Sequence, residues 1–268
     1  MSGLIFRIAV GFVVGVLIVL AGSLYLSNRY LTEQRQLAAS GDTKGAIEKA
    51  RLAARFNPVD SAPLAAEASV LLQQARPEEA VEVLREATRR DPANQSNLAQ
   101  LGNVQINQLN DPEAAAESYR KALERDPRDK GLVASYAGSL IRIGDLEGAK
   151  REYEKLAGWG EIQLGNLYTL GRIYARTGEP EKALRTLRGA QEAATEALER
   201  VPDSQKDKLE TFMDSVDLAI VDALVIEERY DEARLILEDS DAEQAPAIIE
   251  LLYTNPEEYR ESVLNREL

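Results

Sequence analysis

Residues 95–129 read QSNLAQLGNVQINQLNDPEAAAESYRKALERDPRD, and this stretch decides the fold because its pattern returns along the chain. Within it Leu98, Leu101 and Ile106 give one helix an apolar stripe, and Asn110-Asp111 marks a turn. Pro112 opens a second helix, whose buried face is Ala115, Tyr119 and Ala122, and Asp126-Pro127 stops it. Proline in a first helical turn sacrifices no hydrogen bond, since that amide has no partner there anyway, and Asp111 is placed to cap the neighbouring free donors.

Working outward, Pro58 and Pro92 stand 34 residues apart and Pro127 follows 35 later. Small residues precede each proline at fixed offsets: Ala46, Ala80 and Ala115, then Ala53, Ala87 and Ala122. A second series, Pro77, Pro112 and Pro180, stands three residues before Ala80, Ala115 and Ala183, each proline being followed by a glutamate. A self-similar period of this size predicts an all-α solenoid of stacked helix pairs, an architecture that presents surface rather than performing chemistry.

Composition narrows the function classes. The 268 residues carry 45 Asp plus Glu against 32 Lys plus Arg, a net charge of -13, where a nucleic-acid platform needs a basic face. No cysteine and no histidine occur, which removes disulfides, thiolate nucleophiles, imidazole bases and the usual zinc ligands. No phosphate-binding glycine loop ending in Lys-Ser or Lys-Thr is present, and Gly158-Trp159-Gly160 lacks the third glycine of a dinucleotide fingerprint. Adjacent glutamates such as Glu78-Glu79 and Glu227-Glu228 do not face one another on a helix and make poor acid/base or metal pairs. The expectation is a protein that is no enzyme, with no cofactor, no metal, no nucleic acid and no small-molecule substrate.

Ile8–Leu26 is a run of 19 residues without a charge. As a helix it spans about 28 Å, close to one hydrocarbon core. Leu4, Ile5 and Phe6 extend it beyond Arg7, which can snorkel, and Tyr25 and Tyr30 suit an interface. The competing identity is a cleaved signal peptide with Val19-Leu20-Ala21 as its cleavage site, but the apolar run outlasts that site through Leu24, Tyr25 and Leu26. Residues 1–27 are therefore expected to form a retained single-pass N-terminal anchor. Arg7 opposes Arg29 and Arg35, so the charge rule is nearly balanced; the short tail with one arginine favours the soluble part outside the cytoplasm, on the periplasmic side if the source is bacterial. Gly11, Gly15 and Gly22 share one helical stripe on which a membrane-embedded partner helix can pack, or they reflect only the frequency of glycine in membrane helices.

The repeats resemble the tetratricopeptide family, whose signature is W-x2-L-G-x2-Y, then A-x3-F, then P. Leu167-x2-Leu170-Gly171-x2-Tyr174 followed by Ala183-x3-Leu187-x2-Ala190 carries the match, as does Leu98-x2-Leu101-Gly102 followed by Ala115-x3-Tyr119-x2-Ala122 and Pro127. The resemblance implies a solenoid over 28–240 with repeats at about 27–60, 61–94, 95–129, 130–163, 164–197 and 214–240, closed by capping helices over 241–268. Two departures stand out. The family's tryptophan position holds Leu or Val, and Ala183 to Ala233 is 50 residues, about 16 more than one period. Helix B of the fifth repeat is expected to run long through Glu196–Glu199, before Val201-Pro202-Asp203.

Tetratricopeptide arrays hold peptides or partner helices on the face lined by their first helices. Carried over by repeat position, the resemblance assigns Ala99, Asn103, Ile106 and Asn107 in the third repeat, Ala134, Gly138, Ile141 and Arg142 in the fourth, and Tyr168, Arg172 and Arg176 in the fifth. Tyr168, Arg172 and Arg176 follow one another at four-residue spacing and share a helix face. Arginines and asparagines there, in so acidic a chain, point to an acidic peptide segment or C-terminus as partner, against the plainer reading of a solvated polar surface. The functional expectation is a membrane-anchored scaffold or adaptor that assists assembly, stability or recruitment of a membrane or envelope complex. The alternative is a constitutive structural subunit of a larger membrane complex.

Overall fold

Six residues with left-handed backbone set the rhythm of the chain: Gly41, Ala75, Asn110, Gly144, Gly178 and Glu228 all have φ between +51° and +84°. Each lies in the turn between the two helices of a pair, and the successive intervals follow the sequence period until the last, which is lengthened. Three of the six positions hold a residue other than glycine, and for an L side chain this conformation is strained.

The computed structural model describes residues 2–240 and 242–266. Met1, Asp241, Glu267 and Leu268, which the expected anchor and capping segments include, and the side chains of Leu4 and Ile5 lie outside the described residues. The described residues form fourteen helices: α1 (Ser2–Ala39), α2 (Thr43–Phe56), α3 (Ala62–Gln73), α4 (Pro77–Arg90), α5 (Gln95–Asn107), α6 (Pro112–Leu123), α7 (Lys130–Arg142), α8 (Leu146–Gly158), α9 (Leu164–Arg176), α10 (Pro180–Leu198), α11 (Asp203–Ile226), α12 (Tyr230–Glu238), α13 (Ala245–Thr254) and α14 (Pro256–Asn265). The chain forms two compact units, Met1–Leu132 and Val133–Leu268, with α7 crossing the boundary.

In the first unit α1/α2, α3/α4 and α5/α6 are antiparallel pairs. The Asp42 and Asp111 carboxylates accept from the Gly45 and Ala114 amides at 2.9 and 3.0 Å, so α2 and α6 start on an aspartate cap, while α4 starts at Arg76-Pro77 without one. One core joins Ala46 and Ile47 to Leu71, Ala80, Leu84, Leu101 and Val104. The periodic alanines Ala46, Ala53, Ala80, Ala87, Ala115 and Ala122 are all fully buried, as their position at the helix crossings requires. α1 continues without a break from its apolar N-terminal part into this packing: Leu31 is buried, and the Ser27 hydroxyl donates to the Ala53 carbonyl at 3.0 Å. It is the one helix among the described residues long and apolar enough to cross a membrane, and its most apolar window is unburied.

In the second unit Ala149, Ala183, Ala190 and Ala233 repeat the buried alanine pattern. The extra residues of the lengthened interval are taken up by two long helices. α10 runs to Leu198, as expected, and α11 begins at Asp203, eleven residues ahead of the start near Asp214 that the repeat pattern suggests. Residues 203–226 contain neither glycine nor proline, so nothing in them stops a helix once Pro202 has started it.

The glycine in the first helix of the signature is a packing requirement. A Cβ on Gly102 would stand 2.8 Å from Cε1 of Tyr119, and one on Gly171 would stand 2.6 Å from Leu187. Tyr119 cannot yield, because its ring is buried and its hydroxyl donates to Asn103 Oδ1 at 2.6 Å. Gly138 sits at mid-helix with nothing near its would-be Cβ. Gly102→Ala should therefore lower stability by about 1–3 kcal/mol through overpacking, whereas Gly138→Ala should raise it by about 0.5–1 kcal/mol; chemical denaturation of the detergent-solubilised chain measures both.

Candidate partner-binding faces

In the first unit, Asn103 and Asn107 are exposed one turn apart on α5. Asn103 already accepts the Tyr119 hydroxyl, which fixes its amide plane and leaves its NH2 turned to other acceptors. On the other side of the same pair, an open cleft of about 540 Å³ is bordered by Arg85, Leu101, Gln105, Glu117, Lys121 and Arg125. Its charges pair within the rim: Arg120 and Lys121 bond Glu117 at 2.8 and 3.2 Å and hold its carboxyl down at about 2.

In the second unit, Arg142 is exposed at the end of α7. Tyr168, Arg172 and Arg176 do share one face of α9, and all three are half-buried. The Tyr168 ring meets Phe212 of α11 edge-on at 5.8 Å, and the Arg172 guanidinium lies 5.5 Å from the Tyr168 ring centre. Arg176 Nη2 donates to the Val263 carbonyl of α14 at 3.1 Å. Burial, and then the neighbouring Arg172, lower the Arg176 pKa.

The partner of this basic face is internal. α14 packs against α11, in addition to its own pair-mate α13, and so reaches the side of the unit where α9 and α11 lie. Asp222 of α11, largely buried, accepts from the Tyr259 hydroxyl at 2.8 Å and pairs with Arg266 at 3.3 Å. Burial raises the Asp222 pKa although Arg266, Tyr259, Arg172 and Arg176 all oppose the rise. Burial and Asp222 together raise Tyr259. The Arg260 Nε donates to the Ile226 carbonyl at the end of α11, so α14 is fastened along its length.

The structure thus joins the arginines of α9 to residues that repeat positions do not single out: Phe212, Asp222, Tyr259 and Arg266. Phe212 and Asp222 lie on the lengthened helix, whose register escapes the period, and Tyr259 and Arg266 on the closing pair. Among the described residues no group of three or more carboxylates is placed to hold a metal. Glu79 of the adjacent glutamates is held by Arg76 at 2.6 Å, which lowers its pKa.

Asp222→Ala should cost about 2–3 kcal/mol, because it strands a buried tyrosine hydroxyl and removes a largely buried carboxylate that faces the Arg266, Arg172 and Arg176 guanidinium groups. Asp222→Asn should cost less, since its amide oxygen still accepts from Tyr259. A raised carboxyl binds a proton more tightly in the folded than in the unfolded state, so its contribution to stability falls as pH rises from the unfolded carboxyl range through the folded value. Denaturation profiles of wild type and Asp222→Asn should differ by the loss of that descending segment.

Among known sequences, the tetratricopeptide repeat model matches residues 64–94, 96–129 and 164–197. No curated protein matches the chain. Solved structures share its fold. A tetratricopeptide repeat protein from Parabacteroides merdae superposes with a TM-score of 0.58 at 14% identity, over 90% of each chain. The MamA protein gives 0.55 at 17% identity, over 62% of this chain and 91% of that one. YrrB, described as a tetratricopeptide protein with an unusual peptide-binding site, gives 0.52 at 20% identity, over 60% of this chain and 82% of its own.

Proposed function

We propose that this chain, whose residues 64–94, 96–129 and 164–197 match the tetratricopeptide repeat, is a membrane-anchored scaffold whose first-helix faces bind segments of partner proteins. The observation that carries the binding part is the exposed pair Asn103 and Asn107 on α5, with the Asn103 amide oriented from below by Tyr119. Two amides at one-turn spacing, one of them fixed, suit the backbone or side-chain polar groups of an extended segment. YrrB, with its peptide-binding site, offers a parallel at the level of fold.

The anchor part rests on α1, whose side chains from Ile8 to Tyr25 are uncharged and, apart from half-buried Ser23, exposed, over about 27 Å, close to the thickness of a hydrocarbon core. The short tail carrying Arg7 favours an array outside the cytoplasm. In the second unit, Arg172 and Arg176 are engaged by α11 and α14. An acidic segment reaching them competes with Asp222 and the Val263 carbonyl. A constitutive-subunit role would use instead the Gly11, Gly15 and Gly22 stripe, where space over each α-carbon is open to a second helix.

A photo-crosslinking side chain at Asn107, compared with one at Lys121 on the α6 side, tests the scaffold in native membranes. Discrete adducts with other proteins from position 107 and none from 121 are expected. Equal or reversed labelling would remove the α5 face as the partner surface. Native gels of gently solubilised membranes separate the roles: varied, substoichiometric assemblies support the adaptor, and a single fixed-stoichiometry complex supports the subunit.

A further inference from the structure

The first repeat does more than follow the anchor. Ser23 and Ser27 lie one turn apart on α1. Ser23 donates its hydroxyl to the Phe56 carbonyl and Ser27 to the Ala53 carbonyl. Tyr30 stacks on Phe56 with ring centres 5.6 Å apart. These three contacts lay α2 antiparallel along α1, with its C-terminal end pointing back toward the apolar segment. The last residue of α2 is therefore level with Ser23, inside the uncharged run that ends at Leu26.

That level has a consequence, which rests on the anchor reading above. If Ile8–Leu26 fills the hydrocarbon core, Ser23 is about 4.5 Å short of the core boundary. If Leu4–Gly22 fills it instead, Ser23 is at the boundary. The turn 57–61 between α2 and α3 starts at that level, so it meets the core–headgroup boundary in the second register and lies a few ångström inside the hydrocarbon in the first; its polar Asn57, Asp60 and Ser61 select the second.

The composition of that turn fits the place. Val59 is 75% exposed, and among the described residues of the first unit it is the one large hydrophobic outside α1 that is so exposed. Pro58 beside it and Arg55 at the end of α2 are exposed too. Arg55 is the basic group next to the turn, which itself carries Asp60. About 9 Å farther along α1, exposed Arg29 pairs with Glu33, and Lys49 lies over the Tyr30 ring at 5.1 Å while bonding the same Glu33. An exposed apolar tip, an aromatic pair and an exposed arginine beside them are the features of a surface seated in lipid headgroups.

We propose that the α2–α3 turn, centred on Val59 and flanked by Arg55, is a second membrane contact that docks the first repeat flush on the bilayer interface. With α1 spanning and the turn touching lipid, the first unit has two points of attachment, which removes free rotation about the anchor.

The chain has no cysteine, so single labelling sites can be introduced cleanly. Tyr25→Cys, Val59→Cys and Gln108→Cys, each carrying an environment-sensitive fluorophore, are reconstituted as full chains in vesicles of phosphatidylcholine and phosphatidylglycerol containing a headgroup-region nitroxide lipid. Tyr25 and Gln108 are both exposed, the first on α1 and the second two helix pairs farther along. Quenching at position 59 comparable to that at 25, and several-fold above that at 108, is the expected result. Quenching at 25 with position 59 no more quenched than 108 would overturn the second contact and leave the anchor standing. Absence of quenching at 25 would overturn the anchor, and the second contact with it. A shielded but unquenched fluorophore at 59 would assign the turn to a protein contact and overturn the lipid assignment.

Discussion

The close crossing of two helices within each pair is the constraint on which the structure depends. It admits nothing larger than alanine at Ala46, Ala80, Ala115, Ala149, Ala183 and Ala233, all fully buried, and nothing larger than glycine where Gly102 meets Tyr119. Close approach brings large residues such as Leu84, Tyr119 and Leu187 into the space the small ones leave, and interior packing of that density transmits position faithfully from one pair to the next. The turn must then reverse the chain within a few residues, which the left-handed backbone at Gly41 and its equivalents accomplishes even where the side chain is Ala75 or Glu228.

Because the first pair obeys the same constraint, its first helix cannot be separate from the apolar N-terminal segment. Ser23 and Ser27 belong to the continuous α1, yet they bind carbonyls of α2. The apolar N-terminal segment and the first helix of the array are one helix, with no linker between the two. Under the proposed anchoring, orientation relative to the bilayer would be built into the packing of that one hairpin. At the other end of the chain α14 takes a different course from a repeated helix: it lies on α11 and binds Arg176, so the α9 face carries an occupant of its own.

Much of this was legible in the sequence, and the illegible part has a physical cause. Proline, glycine and alanine act locally, through φ restriction, left-handed turns and missing side-chain volume, so the helices that Pro77, Pro112 and Pro180 open can be read from spacing alone. Asp111 as a cap and Ala115, Tyr119 and Ala122 as a buried face follow from the same local rules. Where the period breaks, local rules lose their register. Residues 203–226 contain no stop signal and simply continue as helix, which shifted the start of α11 away from the position near Asp214. The shared face of Tyr168, Arg172 and Arg176 followed from helical spacing, but their partners did not. Phe212, Asp222, Tyr259 and Arg266 come from elements 36 or more residues farther along the chain, and a tertiary contact of that range leaves no trace in a repeat pattern.

The central claim is that the apolar N-terminal segment and the first helix of the array are one unbroken element. Residue-resolved amide hydrogen exchange on the full chain in lipid nanodiscs tests it directly across residues 20–34. Continuous protection through Ser23, Ser27 and Leu31 is the predicted result, matching the helical hydrogen bonds and the packing on α2. A fast-exchanging gap between Leu26 and Tyr30, with protection on both sides, would show an anchor joined to the array by a hinge and would contradict the account.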